Sequence, residues 1–95
     1  MFNDKNFRYK ERQERIKTAT EIKNRGNSAL CDGDLTKAEL LYSEALEIER
    51  SVPAFWTNRA IVRIRLRKFR DAIEDCDWAW RASNDRHSFP NYWRF

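Results

Sequence analysis

Residues 35–45, Leu35-Thr-Lys-Ala38-Glu-Leu-Leu-Tyr42-Ser-Glu-Ala45, are followed 34 positions later by Phe69-Arg-Asp-Ala72-Ile-Glu-Asp-Cys76-Asp-Trp-Ala79. Ala38 falls on Ala72, Ala45 on Ala79 and Leu35 on Phe69, while Lys37-Ala38-Glu39-Leu40 lies over Asp71-Ala72-Ile73-Glu74. The same step carries Gly26 onto Ala60. A period of this length marks a repeat architecture, in which one unit cannot bury its apolar face alone and stacks on the next. Small residues at three equivalent places mark sites where two helices approach closely. The large apolar residue at the fourth fills the groove between them.

Each unit reads as two helices. In the first, Ile16, Ala19, Ile22, Ala29 and Leu30 recur near spacings of three and four, which is one apolar stripe of a helix. Asp32-Gly33-Asp34 breaks it, with Gly33 suited to a left-handed C-cap. The spacing predicts a second helix from about Leu35 to Arg50, burying Ala38, Leu41, Tyr42, Ala45 and Leu46, with Ile48 at its margin. Pro53 opens the second unit in a first helical turn, and Trp56, Ala60 and Ile64 form its stripe. Phe69 begins the last helix, which is expected to bury Ala72, Ile73, Cys76, Ala79 and Trp80.

Composition narrows the class. Ninety-five residues allow one compact domain, and two Gly and two Pro argue against a turn-rich β-architecture. There is no apolar run long enough to span a membrane, and Met1–Asn6 lacks the apolar core of a secretory signal. Cys31 and Cys76 are too few for a disulfide framework and are expected as small core residues of a cytoplasmic protein. Neither belongs to a Cys-x-x-Cys pair, His87 has no ligand at metal-binding spacing, and Gly26 and Gly33 stand apart rather than in a phosphate loop. No catalytic constellation is present, so neither enzymatic activity nor a cofactor is expected.

Nineteen basic and fifteen acidic residues leave a net charge of +4. The excess gathers in residues 1–25, with eight basic residues against four acids, and in residues 59–70, with six and none. Such strips can attract nucleic acid, an anionic lipid surface or an acidic peptide, and they equally suit a solvated helix face. Arg59, Arg63 and Arg67 form a stripe, but no aromatic residue is interleaved to stack bases. Asp71, Glu74, Asp75 and Asp77 follow immediately and can neutralise it. Neither nucleic acid nor a membrane is expected as a partner.

Taken together, these residues resemble the tetratricopeptide repeat over about residues 19–83. The first copy carries Gly26, Asn27, Gly33-Asp34, Ala38, Tyr42, Ala45 and Leu46; the second carries Trp56, Ala60, Ala79 and the stretch from Phe69 through Ala72 to Cys76. The resemblance implies an all-α fold, two helix-turn-helix repeats in an antiparallel α-solenoid. Its repeats span 19–52 and 53–86, after a helical extension at 1–18 and before an aromatic C-terminal cap at 87–95. Two positions depart from the pattern. Arg67 stands where the family usually has Gly, which strains that turn by about 1 kcal/mol, and Arg50 replaces the usual Pro.

The ends carry further expectations. In the extension, Phe2, Phe7 and Tyr9 are too few for a buried stripe and Lys10–Arg15 is polar throughout, so a solvated or partner-bound lead-in is expected, frayed at its tip. Ser83–Ser88 reads as a polar break. Beyond it Ser88 can N-cap a short helix with Pro90 in its first turn, on which Phe89, Tyr92 and Trp93 share one face. That helix either caps the second repeat or docks on another protein. Two units are fewer than such arrays usually need for independent stability, which predicts a marginal monomer, self-association, or completion by a partner.

The family's arrays line a concave groove with the first helix of each unit, so the resemblance directs binding to Lys23, Asn27, Asn58, Ile61 and Arg65. Lys23-x-x-Gly26-Asn27 and Asn58-Arg59-Ala60 look like the carboxylate clamp of co-chaperone tetratricopeptide domains. Those domains hold the C-terminal Glu-Glu-Val-Asp of the seventy- and ninety-kilodalton heat-shock chaperones. By that resemblance Lys23 is a charge-assisted donor and the two Asn amides are neutral donors to a C-terminal carboxylate. The two remaining clamp residues, a Lys and an Arg, fall in register on Ser88 and Tyr92, which are wrong in type. Two functions stand side by side: an adaptor that captures a protein or peptide segment, such as a heat-shock chaperone tail, and a structural or assembly subunit of a larger complex.

Overall fold

The computed structural model describes the backbone of residues 4–87 and the side chains of residues 9–84. The expected cap or docking tail with Phe89, Tyr92 and Trp93, the register positions Ser88 and Tyr92, Phe2, and the side chain of Phe7 lie outside the described residues. Four helices follow one another, α1 (Asp4–Cys31), α2 (Leu35–Ile48), α3 (Pro53–Arg65) and α4 (Phe69–His87). α1 pairs with α2, α3 with α4, and α2 against α3 joins the two hairpins. This is the all-α arrangement of stacked helix-turn-helix units.

The 34-residue period recurs in the backbone hydrogen bonds. Gly33 N–H donates to the Leu30 carbonyl and Asp34 N–H to that of Ala29, at 3.0 and 2.9 Å. Arg67 N–H donates to Ile64 and Lys68 N–H to Arg63, at 3.0 and 2.8 Å. Both turns close a helix by the same paired bonds, which require a left-handed residue at the corner. Gly33 takes φ 82° and Arg67 takes φ 65°. Only the first is relieved by the absence of a Cβ, so the strain expected at Arg67 is present. Asp34 then caps α2 by accepting from Lys37 N–H at 3.2 Å.

Between α1 and α2 the packing turns on Gly26. A Cβ there would lie 2.6 Å from the Tyr42 ring, so the ring crosses α1 only because the position is empty. The ring passes on to Asn27, where the Tyr42 hydroxyl donates to the Asn27 carboxamide oxygen. Ala19, Ile22, Ala29, Ala38, Leu41, Ala45 and Leu46 complete this part of the core, with Phe55, Trp56 and Val62 from α3. Pro53 starts α3 as expected. Trp56 Nε1–H donates to the Arg50 carbonyl at 2.9 Å, tying the helix to the corner it leaves.

Several burial expectations are corrected. Ile64 is 50 % exposed, Phe69 57 %, Ile73 70 % and Trp80 51 %, and both cysteines are exposed. α4 instead buries Ala72, Asp75 and Ala79 against α3, and α3 buries Phe55 and Val62 beside Trp56 and Ala60. These large side chains lie at the surface, and no further hairpin is stacked on α4 among the described residues. α2 stops at Ile48, because Glu49 turns extended at φ −150°. The polar stretch Ser83–His87 is no break: α4 runs through it. Nor are Lys10–Arg15 wholly solvated, since Arg12 donates to Ser51 Oγ at 2.8 Å and Arg15 to Glu49 Oε1 at 3.1 Å.

Two substitutions of opposite sign test this packing. Gly26→Ala drives a methyl into the Tyr42 ring and should destabilise by about 1–3 kcal/mol. Arg67→Gly relieves the left-handed turn and should stabilise by about 1 kcal/mol. Thermal melts should separate them clearly, since about 1 kcal/mol moves Tm by roughly 4–8 °C in a domain of this size.

Candidate functional site: a protein-interaction surface

α3 carries Arg59 and Arg63 one turn apart, and both turn inward to α4. Asp75, 1 % exposed, accepts from Arg59 Nε and Nη2 at 3.0 and 2.8 Å and from Arg63 Nη1 at 2.9 Å. Each arginine also reaches α2, Arg59 to Ser43 Oγ at 2.9 Å and Arg63 to Glu39 at 2.9 Å. Lys68 adds a second bond to Glu39 at 2.9 Å. Burial alone would raise the Glu39 carboxyl, but the bonds from Lys68 and Arg63 outweigh it and hold it below its ordinary value. Arg59 and Arg63 of the stripe are therefore neutralised from within by Asp75 and Glu39, while Arg67 is exposed.

An aromatic stack continues the network. Trp56 and Trp78 stack at 5.7 Å, with the Arg59 guanidinium 5.3 Å from the Trp56 centroid and that of Arg81 4.9 Å from Trp78. These groups border an open groove of about 900 Å³ whose walls include Ser43, Leu46, Glu47, Trp56, Trp78 and Arg81. None of the five expected binding residues lines it. The acids after Phe69 signalled the charge pairing; Trp78 gave no signal, because the stripe it belongs to reads as solvent-facing in a single helix.

Of the five expected residues, Lys23 and Asn27 lie one turn apart on α1, both half-buried. Asn58, half-buried, and Ile61 and Arg65, exposed, follow at spacings of three and four on α3. Because Tyr42 donates to the Asn27 oxygen, the amide nitrogen is the end of Asn27 left to donate. Lys23, Asn58 and Arg65 make no hydrogen bond or ion pair with another described side chain. Among the described residues no group of His, Cys, Asp and Glu is placed to hold a metal ion, and no helix is long and apolar enough to cross a membrane.

Comparison with known proteins agrees with the repeat. No protein-family profile matches the chain. It is 37 % identical over 79 residues to human tetratricopeptide repeat protein 12, covering 83 % of this chain and 11 % of the relative. It is 38 % identical over 68 residues to human sperm-associated antigen 1, covering 72 % and 7 %. It is 34 % identical over 70 residues to Hsp70-Hsp90 organizing protein 3 of Arabidopsis thaliana, covering 74 % and 12 %. The chain thus spans about a tenth of the length of these relatives. Helix pairs repeating at 34 residues, with the same left-handed corner in each, make it a tetratricopeptide-repeat protein resembling the repeat domains of chaperone co-chaperones. It is a protein-interaction module.

The charge network sets two expected outcomes. Asp75→Asn removes the counter-charge of two largely buried guanidiniums and should cost about 3–5 kcal/mol in a thermal or urea melt. Glu49, like Glu39, would be raised by burial but is held low by Ser51 and Arg15. For both, the unfolded chain protonates first on acidification. Their contribution is complete above the ordinary value of 4.5 and is lost as pH falls through the lowered folded values. Glu39→Gln should flatten this acid limb of the stability profile.

Proposed function

We propose that the module captures an acidic C-terminal peptide segment on the face that carries Lys23, Asn27, Asn58, Ile61 and Arg65. The observation that supports this reading is the Tyr42–Asn27 hydrogen bond: it occupies the carboxamide oxygen and leaves the N–H2 as the end that can donate, four residues along α1 from Lys23. A terminal carboxylate takes both, one as a charge-assisted donor and one as a neutral donor of set direction. Asn58 adds a second amide, Ile61 an apolar contact and Arg65 a cation further along α3. The names of the plant relatives, organizing proteins of Hsp70 and Hsp90, support a chaperone tail as the class of ligand. Membership of a larger assembly is the second reading, favoured by the apolar edge that Phe69 and Ile73 leave open on α4.

Ser88 and Tyr92 are not the cationic donors that would complete a clamp. Each charge-assisted bond is worth about 1.5–3 kcal/mol, so affinity for an acidic pentapeptide should be on the order of 0.1–1 mM and should fall with added salt. Calorimetry or NMR titration should show binding lost on amidating the peptide C-terminus and on Lys23→Ala or Asn27→Ala. Tyr42→Phe, which frees the Asn27 amide while keeping the ring, should weaken binding several-fold without displacing the peptide elsewhere. Equal binding of free and amidated peptide would rule out the carboxylate reading.

A further inference from the structure

The groove lined by α2, α3 and α4 is separate from the face that carries Lys23 and Asn27. On α3 its residues Trp56, Arg59 and Arg63 lie about 160° around the helix from Asn58, Ile61 and Arg65. The groove is open and holds about 900 Å³. Leu46 and Trp56 are buried along it, whereas Trp78 on α4 is 46 % exposed. The repeat does not call for an aromatic at that position, since the residue 34 places earlier is Glu44, exposed on α2. Trp78 is held by its stack on Trp56 and presents apolar area to whatever enters the groove.

The groove already holds guanidiniums in one way, twice over. Arg59 lies over Trp56 and pairs with Asp75 at 2.8 Å. Arg81 lies over Trp78 and pairs with Asp77 at 3.3 Å. Each uses an aromatic ring together with a carboxylate. Of the remaining charges along the walls, Glu49 is paired with Arg15 and Asp71 acts on Arg63 through space. Glu47 on α2 and Glu74 on α4 are exposed and have no ion pair among the described residues, and Arg50 is the one wall cation in the same condition. Glu74 stands one turn before Trp78 on the same helix, so a third pairing of carboxylate with ring is present there without its cation.

We propose that this groove docks an arginine-bearing segment of a partner protein, with the guanidinium on Glu74 beside the Trp78 ring and a neighbouring apolar side chain toward Leu46. Glu47, on α2, receives a second cation of the same segment. Arginine suits the place better than lysine, because its planar fork pairs with a carboxylate through two bonds and lies flat against an indole. An exposed tryptophan beside a free carboxylate is also the kind of anchor that dominates binding energy at protein interfaces. An acidic segment, the ligand proposed for the opposite face of α3, meets the wrong charge here. The module is thus built to take segments of opposite sign on its two faces.

The probe is an acetylated and amidated heptapeptide of alternating leucine and arginine, titrated into the full chain labelled with nitrogen-15. The Trp78 indole N–H signal, identified with Trp78→Phe, should move and saturate. Replacing the peptide's arginines by lysine should weaken binding several-fold, replacing them by glutamate should abolish it, and replacing the leucines by serine should weaken it. Glu47→Gln with Glu74→Gln should raise Kd about three- to tenfold, whereas Lys23→Ala should leave it unchanged. The proposal is overturned if the signal stays in place up to about 1 mM peptide, if the lysine or serine peptide binds as tightly, or if the two Gln substitutions change nothing. It is also overturned if the signal moves with protein concentration in the absence of peptide, which assigns the groove to a second copy. The peptide comparisons use the unaltered chain and decide even where a variant fails to fold. Capture of an acidic C-terminus at Lys23 and Asn27 is read separately and stands or falls on its own.

Discussion

The carboxylate of Asp75 lies between Arg59 and Arg63 with almost no access to water, and the stacking of the two hairpins depends on it. Both guanidiniums lie on α3 and both extend to α2, so one acid on α4 fixes three helices in a single register. Such a network contributes little net free energy, because desolvating the ions offsets most of their attraction. Its effect is on specificity. Any slip of α3 by one residue would leave a buried charge unpaired, which costs far more than the pairing gains.

Around that network the packing is set by the sizes of residues at helix crossings. Ala38, Ala45, Ala72 and Ala79 let the helices of each hairpin approach, and Gly26 lets the Tyr42 ring lie across α1. The consequence reaches the surface. A ring that could not cross α1 would not deliver its hydroxyl to Asn27, and the amide would be free to turn either way. Core packing and the direction of a donor on the proposed binding face are thus one arrangement.

The distribution of charge follows the same logic. The basic stretch of residues 59–70 looks in one dimension like a patch for an anion, yet Arg59, Arg63 and Lys68 are all engaged by acids of neighbouring helices. Of that stretch, Arg65, Arg67 and Arg70 stay exposed with no ion pair among the described residues.

The helices, their corners and the small positions were legible in the sequence, because each depends on local constraints. A period of 34, apolar spacings of three and four, Gly33 at one corner and Arg67 at the other are settled by backbone sterics and by neighbours within one turn. The strain at Arg67 was readable for the same reason. Which large side chains are covered was not. Ile64, Ile73, Cys76 and Trp80 have the spacing of a core stripe but are exposed, while Asp75, polar and set among acids, is buried. Burial at those places depends on what stacks on α4 and on arginines 16 and 12 residues away in the chain. Periodicity records that a helix has an apolar face. Only the assembled helices decide which neighbour that face meets, because coverage is a property of the stack and not of the strand of sequence that forms one layer of it.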